Sequence, residues 1–129
     1  MIINPKESQE FYYILTGIVA PRPIAFISTL SPTGVNNLAP FSFFNAVSAN
    51  PPTLVVSIGR YVDNKPKDTL FNIESTGEFV VNVVNSDIVE AMNLTAAEFP
   101  PDIDEFEIAG LTKPPNKKRT QMIENQSLF

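Results

Sequence analysis

Most prolines of this chain come in pairs, and the pairs set the limits within which regular structure can form. Twelve prolines stand against five glycines, and eight of the twelve are clustered, at Pro21 and Pro23, Pro51 and Pro52, Pro100 and Pro101, and Pro114 and Pro115. Proline has no backbone N–H to donate and restricts the residue before it, so such sites end helices and interrupt central strands. The chain is thereby punctuated into short elements.

Between these breaks the residue pattern predicts alternating element types. Glu7 to Thr16 places Phe11, Ile14 and Leu15 at helical spacing before Gly17, which predicts a short helix. Ile24 to Leu30 is a compact apolar run ended by Ser31-Pro32-Thr33-Gly34, with Pro and Gly where a β-turn takes them, so a strand entering a hairpin is expected. Thr53 to Ile58 and Glu78 to Val84 are β-branched runs free of Pro and Gly, the composition of buried strands. Asp68 to Thr76 reads as a helix with Asp68 as its N-cap, Leu70, Phe71 and Ile73 on its inner face and Gly77 as its stop. A second helix is expected over Asp87 to Ala97, opened by Ser86 or Asp87. Interleaved helices and strands with few crossovers indicate a β-dominated α+β domain.

At 129 residues there is room for one core. Hydrophobic residues at 43% against 18% charged describe a chain that folds rather than a disordered one. With no Cys and no His, thiol and Ser-His nucleophiles, disulfides, structural zinc, iron–sulfur clusters and His- or Cys-ligated haem lack their essential atoms. Any catalysis must therefore borrow its reactive group. A formal charge of −5 argues against nucleic acid, which requires a basic face. The N-terminus has no basic region followed by an apolar stretch, and no run of 18 apolar residues occurs, so the expectation is a soluble, cytoplasmic protein without a membrane partner. Residues 1–112 sum to −8 and residues 113–129 to +3. The acidic run at 98–107 reads as solvated loop.

Asn36 to Asn45 sets Phe41, Phe43 and Phe44 among small amide and hydroxyl groups. A flat aromatic ligand requires that mixture, with apolar contact on its faces and convergent polar groups at its edges. A buried strand whose Ser42 and Asn45 satisfy local backbone accounts for the same residues. Lys65-Pro66-Lys67-Asp68-Thr69 places a lysine and a hydroxyl at a helix start, where unpaired N–H groups can gather around one phosphate; ordinary capping beside two surface lysines is the other reading. Arg22, stiffened by a proline on each side, is a third candidate anion ligand. Neither a Walker A loop nor a G-x-G-x-x-G turn occurs.

Five ordered blocks then carry a resemblance. Pro21-Arg22-Pro23-Ile24-Ala25 with Ile27-Ser28-Thr29, Asn37-Leu38-Ala39-Pro40-Phe41-Ser42, Asn50-Pro51-Pro52, Lys67-Asp68-Thr69-Leu70-Phe71-Asn72-Ile73 and Glu78-Phe79-Val80-Val81-Asn82 resemble the flavin reductase-like, FMN-binding split-barrel family that includes flavoredoxin. The resemblance implies a homodimer built on an antiparallel split β-barrel with short helices, holding FMN near the subunit interface. Ser28, Thr29, Asn37, Ala39, Pro40, Phe41 and Ser42 look like the positions around the flavin ring and ribityl chain, acting mostly through backbone groups; Asn45 is a further candidate from the residue pattern of its segment. Lys67, Asp68 and Thr69 look like the phosphate-side motif. The implied activity is hydride transfer from NADH or NADPH to flavin, which asks no acid, base or nucleophile of a side chain, with a monooxygenase as a possible recipient of reduced flavin. The alternatives are a flavin-binding electron carrier without its own nicotinamide site and a truncated, non-catalytic dimerising domain. The resemblance covers the domain expected at 1–112. Residues 113–129 form an atypical basic and polar tail without strand alternation where the family pattern implies a strand, so a barrel incomplete at its C-terminus is expected.

Overall fold

The computed structural model describes residues 10–113, so the start of the first predicted helix and the basic tail lie outside the described residues. In chain order the elements are α1 (Phe11–Ile18), β1 (Ala25–Leu30), β2 (Asn36–Phe41), β3 (Phe44–Ala49), β4 (Pro52–Val56), α2 (Asp68–Thr76), β5 (Val80–Val83), α3 (Val89–Leu94) and α4 (Glu105–Ile108). Among the described residues the strands form a three-stranded sheet in the order β2-β1-β5 and a two-stranded sheet β3-β4. Every ladder is antiparallel.

β1 occupies the middle of the larger sheet, and Ala25, Phe26, Ile27, Ser28 and Thr29 are wholly inaccessible. The expected hairpin forms at Ser31–Gly34, where Gly34 takes φ +88° and Ser31 N–H donates to Val35 O at 2.8 Å. Pro40 is tolerated within β2 because that strand is at the sheet edge, where a missing donor costs no ladder bond. Alternation along β1 separates two environments. Phe26 joins Leu38, Met92 and Phe106 in the apolar core. Thr29 pairs with Asn37 across the ladder and meets α2 through Asn72.

The helix α2 has the expected bounds, and Gly77 at φ +72° ends it in a left-handed turn with its N–H on Ile73 O. Its cap and inner face differ from the expectation. Lys67, not Asp68, is the N-cap, and no side chain caps it. The buried positions are Thr69 and Asn72, one turn apart, while Phe71 is 51% exposed. The buried side is polar because it faces Thr29 and Asn37 of the sheet. α1 runs two residues past Thr16 and includes Gly17. α3 is shorter than expected, since Asn85, rather than Ser86 or Asp87, accepts from the backbone N–H groups of Asp87 and Ile88.

Two larger corrections concern burial. β4 was expected to be a buried strand, yet Leu54 and Val55 are 57% and 50% exposed. Two-sided burial needs a layer on each face, and among the described residues β4 pairs with β3 alone. The acidic run at 98–107, expected to be solvated loop, is exposed at Glu98, Asp102 and Glu107, but its end folds into α4: the Asp104 carboxylate accepts from Phe106 N–H at 3.0 Å, and Glu105 and Phe106 are buried. Asp104 also receives Asn36 Nδ2 and forms an ion pair with Lys113. Acidic content alone conceals this, because an Asp at a helix start is a cap before it is a charge.

Candidate functional site

The first turn of α2 meets β2 at a cleft of about 80 Å³. Its wall on the β2 side is Asn37, Ala39, Pro40 and Phe41, and its rim on the α2 side is Lys67, Asp68 and Thr69. Two segments separated by the whole of the smaller sheet are thus brought to one place. Sequence reasoning missed the remaining wall, supplied by Tyr61, Thr95–Phe99 and Glu105.

The α2 end carries the positive potential. The N–H groups of Asp68, Thr69 and Leu70 precede the first intrahelical bond, Phe71 N–H to Lys67 O at 3.0 Å, and lack a side-chain cap; aligned peptide dipoles make such an end attractive to anions. The Lys67 ammonium stands 5.1 Å from the centre of the Tyr61 ring and 3.8 Å from Glu98 Oε1. That long pairing to an exposed carboxylate holds it weakly. Asp68 opposes an anion, but its carboxylate accepts from the Tyr61 hydroxyl at 3.3 Å. Burial first, and then the Asp68 charge, pushes the Tyr61 hydroxyl above its ordinary value.

Beneath the cleft is a buried polar network. Thr69 Oγ1 donates to Asn37 Oδ1 at 2.7 Å and Thr29 Oγ1 donates to the same oxygen at 3.2 Å. Asn72 Nδ2 donates to Thr29 Oγ1 at 3.0 Å. On the other side Asn37 Nδ2 donates to Glu105 Oε1 at 2.8 Å, and Leu38 N–H donates to Glu105 Oε2 at 3.0 Å. Burial pushes the Glu105 carboxyl up to about 7 despite these two donors, and the Asp68 charge adds to the rise. No local pattern signals Glu105; the capping Asp104 beside it is the only hint.

The remaining predicted site residues lie elsewhere. Ser28 is on the opposite side of β1 from Thr29, with Asn82 Nδ2 at 3.3 Å. Arg22 is committed to the C-terminal end of α1, donating to Thr16 O and Val19 O at 3.0 and 3.1 Å, and to Ser42 Oγ at 3.3 Å. Its guanidinium also stacks 5.5 Å from the Phe43 ring centre. Asn45 is exposed on β3.

Comparison with known proteins identifies the family and the fold. Residues 19–128 match the flavin reductase like domain. A protein of Aquifex aeolicus is 45% identical over 116 residues, covering 90% of this chain and 59% of the relative. The crystal structure of nitrilotriacetate monooxygenase component B from Bacillus cereus superposes with a TM-score of 0.86 at 41% identity, covering 96% of this chain and 62% of that one. A flavin reductase with a split barrel domain from Shewanella frigidimarina shares the fold at a TM-score of 0.74 and 24% identity, over 97% of this chain and 64% of that one. The chain thus spans about three-fifths of the length of these proteins. On the family match, the strand order and the superposition together, the chain belongs to the flavin reductase like family and has its antiparallel split-barrel fold.

Proposed function

We propose that the chain binds FMN with its phosphate in the cleft between β2 and α2, and takes part in hydride transfer from NADH or NADPH to flavin. The observation that carries the reading is the convergence of Lys67 and the uncapped N-terminus of α2 on Ala39, Pro40 and Phe41. Ligand pockets of drug size run to roughly 300–1,000 Å³, so a cleft of about 80 Å³ suits a phosphate group and leaves the ring to extend beyond it.

In this reading the chain binds and orients. Lys67 and the N–H groups of Asp68 and Leu70 neutralise the phosphate, and the Ala39-Pro40-Phe41 backbone guides the ribityl chain outward. The flavin, when bound, supplies the redox-active ring that a sequence without His or Cys does not contain. The exposed apolar residues of β3 and β4, Val47, Leu54 and Val55, support a homodimer: Leu54 and Val55 are adjacent in β4 and point to opposite faces of the ladder, and apolar exposure of that kind calls for cover. A monooxygenase as the recipient of reduced flavin is supported by the likeness to a monooxygenase component B. A cytoplasmic setting accords with this chemistry; among the described residues no helix is long and apolar enough to cross a membrane.

Lys67→Ala should weaken FMN binding about tenfold, the scale of one charge-assisted contact, and leave riboflavin unchanged, because riboflavin has no phosphate. Fluorescence titration of both flavins checks this, and equal weakening would mean that Lys67 serves only the helix. Oxidation of NADH or NADPH with added FMN then separates a reductase from an electron carrier.

A further inference from the structure

The buried network beneath the cleft has a direction, and the direction is set at its far end. An ionised carboxylate can only accept, so Glu105 must face the Nδ2 side of Asn37, as its Oε1 does at 2.8 Å. The Asn37 oxygen then faces both threonine hydroxyls, at 2.7 and 3.2 Å. Thr69 is therefore obliged to point its hydrogen inward. What it offers the cleft is a lone pair, the wrong polarity for a phosphate.

We propose that Glu105 is a positioning residue that decides, through the Asn37 amide, whether the Thr69 hydroxyl presents the cleft with an acceptor or a donor, so that a proton taken up by Glu105 turns this wall toward phosphate. The deepening rests on the reading of the cleft as the phosphate end of a flavin site. The proton count balances from Glu105 to Thr69. Leu38 N–H continues to donate to Glu105 Oε2, so the proton resides on Oε1 and donates to Asn37 Oδ1 once the amide has turned over. Asn37 Nδ2 then donates to both hydroxyls, the Thr29 hydroxyl donates a hydrogen bond to Oδ1 of a similarly turned Asn72, and Thr69 donates outward to the anion.

The charged and titratable groups around Glu105 bear on where this occurs. Its own segment contributes Asp104, which is already paired with Lys113. The cleft brings Asp68 and Lys67 from the start of α2, Tyr61 from the preceding loop and Glu98 from the segment after α3. Burial is the largest cause holding the proton on Glu105, with Asp68 adding to it, and the midpoint is near 7. The switch is therefore expected between pH 6 and pH 8.

Glu105→Gln mimics the protonated state, since its amide nitrogen donates to Asn37 and its oxygen accepts from Leu38. Dissociation constants for FMN and riboflavin are to be measured at pH 6 and pH 8 for the unsubstituted chain, Glu105→Gln, Thr69→Val and the double variant. A phosphate monoester itself titrates near pH 6, so the informative quantity is the ratio of the unsubstituted to the Glu105→Gln constant at each pH, in which that titration cancels. For FMN the ratio should rise from near unity at pH 6 to about tenfold at pH 8, the scale of one added charge-assisted bond. It should remain near unity for riboflavin and in the Thr69→Val background. A ratio that does not change with pH, or one that survives Thr69→Val, overturns the proposal.

A second measurement needs neither flavin nor variant. In NMR titrations of the isotopically labelled chain, the Asn37 side-chain amide should shift with the same midpoint as the Glu105 carboxyl carbon. An Asn37 amide that ignores that titration also overturns the proposal. Absence of FMN binding in every chain would instead refute the flavin reading, and the Asn37 titration would then decide the relay alone.

Discussion

Phe106→Ala is expected to destabilise the chain by about 3–5 kcal/mol, the usual cost of emptying an aromatic site in a packed core. Phe106 is fully inaccessible and packs with Phe26, Leu38 and Met92. Its helix is only four residues long, too short to persist on intrinsic propensity. The ring is therefore what fastens α4 to the sheet and, with it, Glu105 beneath the cleft. Set against a typical stability of roughly 5–15 kcal/mol, the loss is large enough to leave a substantial unfolded fraction at physiological temperature. Urea unfolding monitored by circular dichroism measures it, with Phe71→Ala as the reference. Phe71 is 51% exposed and should cost about 1 kcal/mol or less. If the two variants lose the same stability, α4 is not held by Phe106.

Asn37→Leu should cost about 3 kcal/mol or more at pH 8 and measurably less at pH 6. The substitution keeps the approximate volume but removes a donor from Glu105 and the shared acceptor of Thr29 and Thr69. Removing one partner leaves a buried group to bear its desolvation cost, at about 1–3 kcal/mol for a neutral group and more for a charge. The pH dependence follows from the carboxyl. Glu105 is raised from 4.5 to about 7 in the folded chain, chiefly by burial, so it binds its proton more tightly folded than unfolded. The stability it contributes is complete below about pH 4.5 and is lost as pH rises through about 7. Loss of the Asn37 donor penalises the ionised form selectively, which is why the variant should suffer more at pH 8. Denaturant midpoints for both chains at the two pH values give the test, and a cost independent of pH would show that Glu105 is not ionised against Asn37.

Much of the local architecture was legible without the structure. The β1–β2 hairpin and the bounds of α2 follow from turn chemistry and from Gly77 alone. The gathering of Asn37, Ala39, Pro40 and Phe41 with Lys67, Asp68 and Thr69 was expected from the family resemblance, and these residues do line one cleft. The inner face of α2 was misjudged because apolar spacing was assumed to mark it, whereas the buried pair is Thr69 and Asn72. Arg22 was read as a candidate anion ligand, and the sequence did not show that its guanidinium also donates to the carbonyls of Thr16 and Val19.

The amino-acid sequence by itself determined where the β1–β2 turn falls and where α2 ends, and which chemistry the chain cannot perform unaided. Prolines, a left-handed glycine and the absence of thiol and imidazole act locally, so no distant partner is needed to read them. Only the tertiary structure decided which polar groups leave water and in which sense they bond. Thr69 and Asn37 are 32 residues apart, Asn72 and Thr29 are 43 apart, and Asn37 and Glu105 are 68 apart. Desolvation depends on all neighbours at once, and a carboxylate is raised to about 7 only when the sheet, α2 and α4 close over it together.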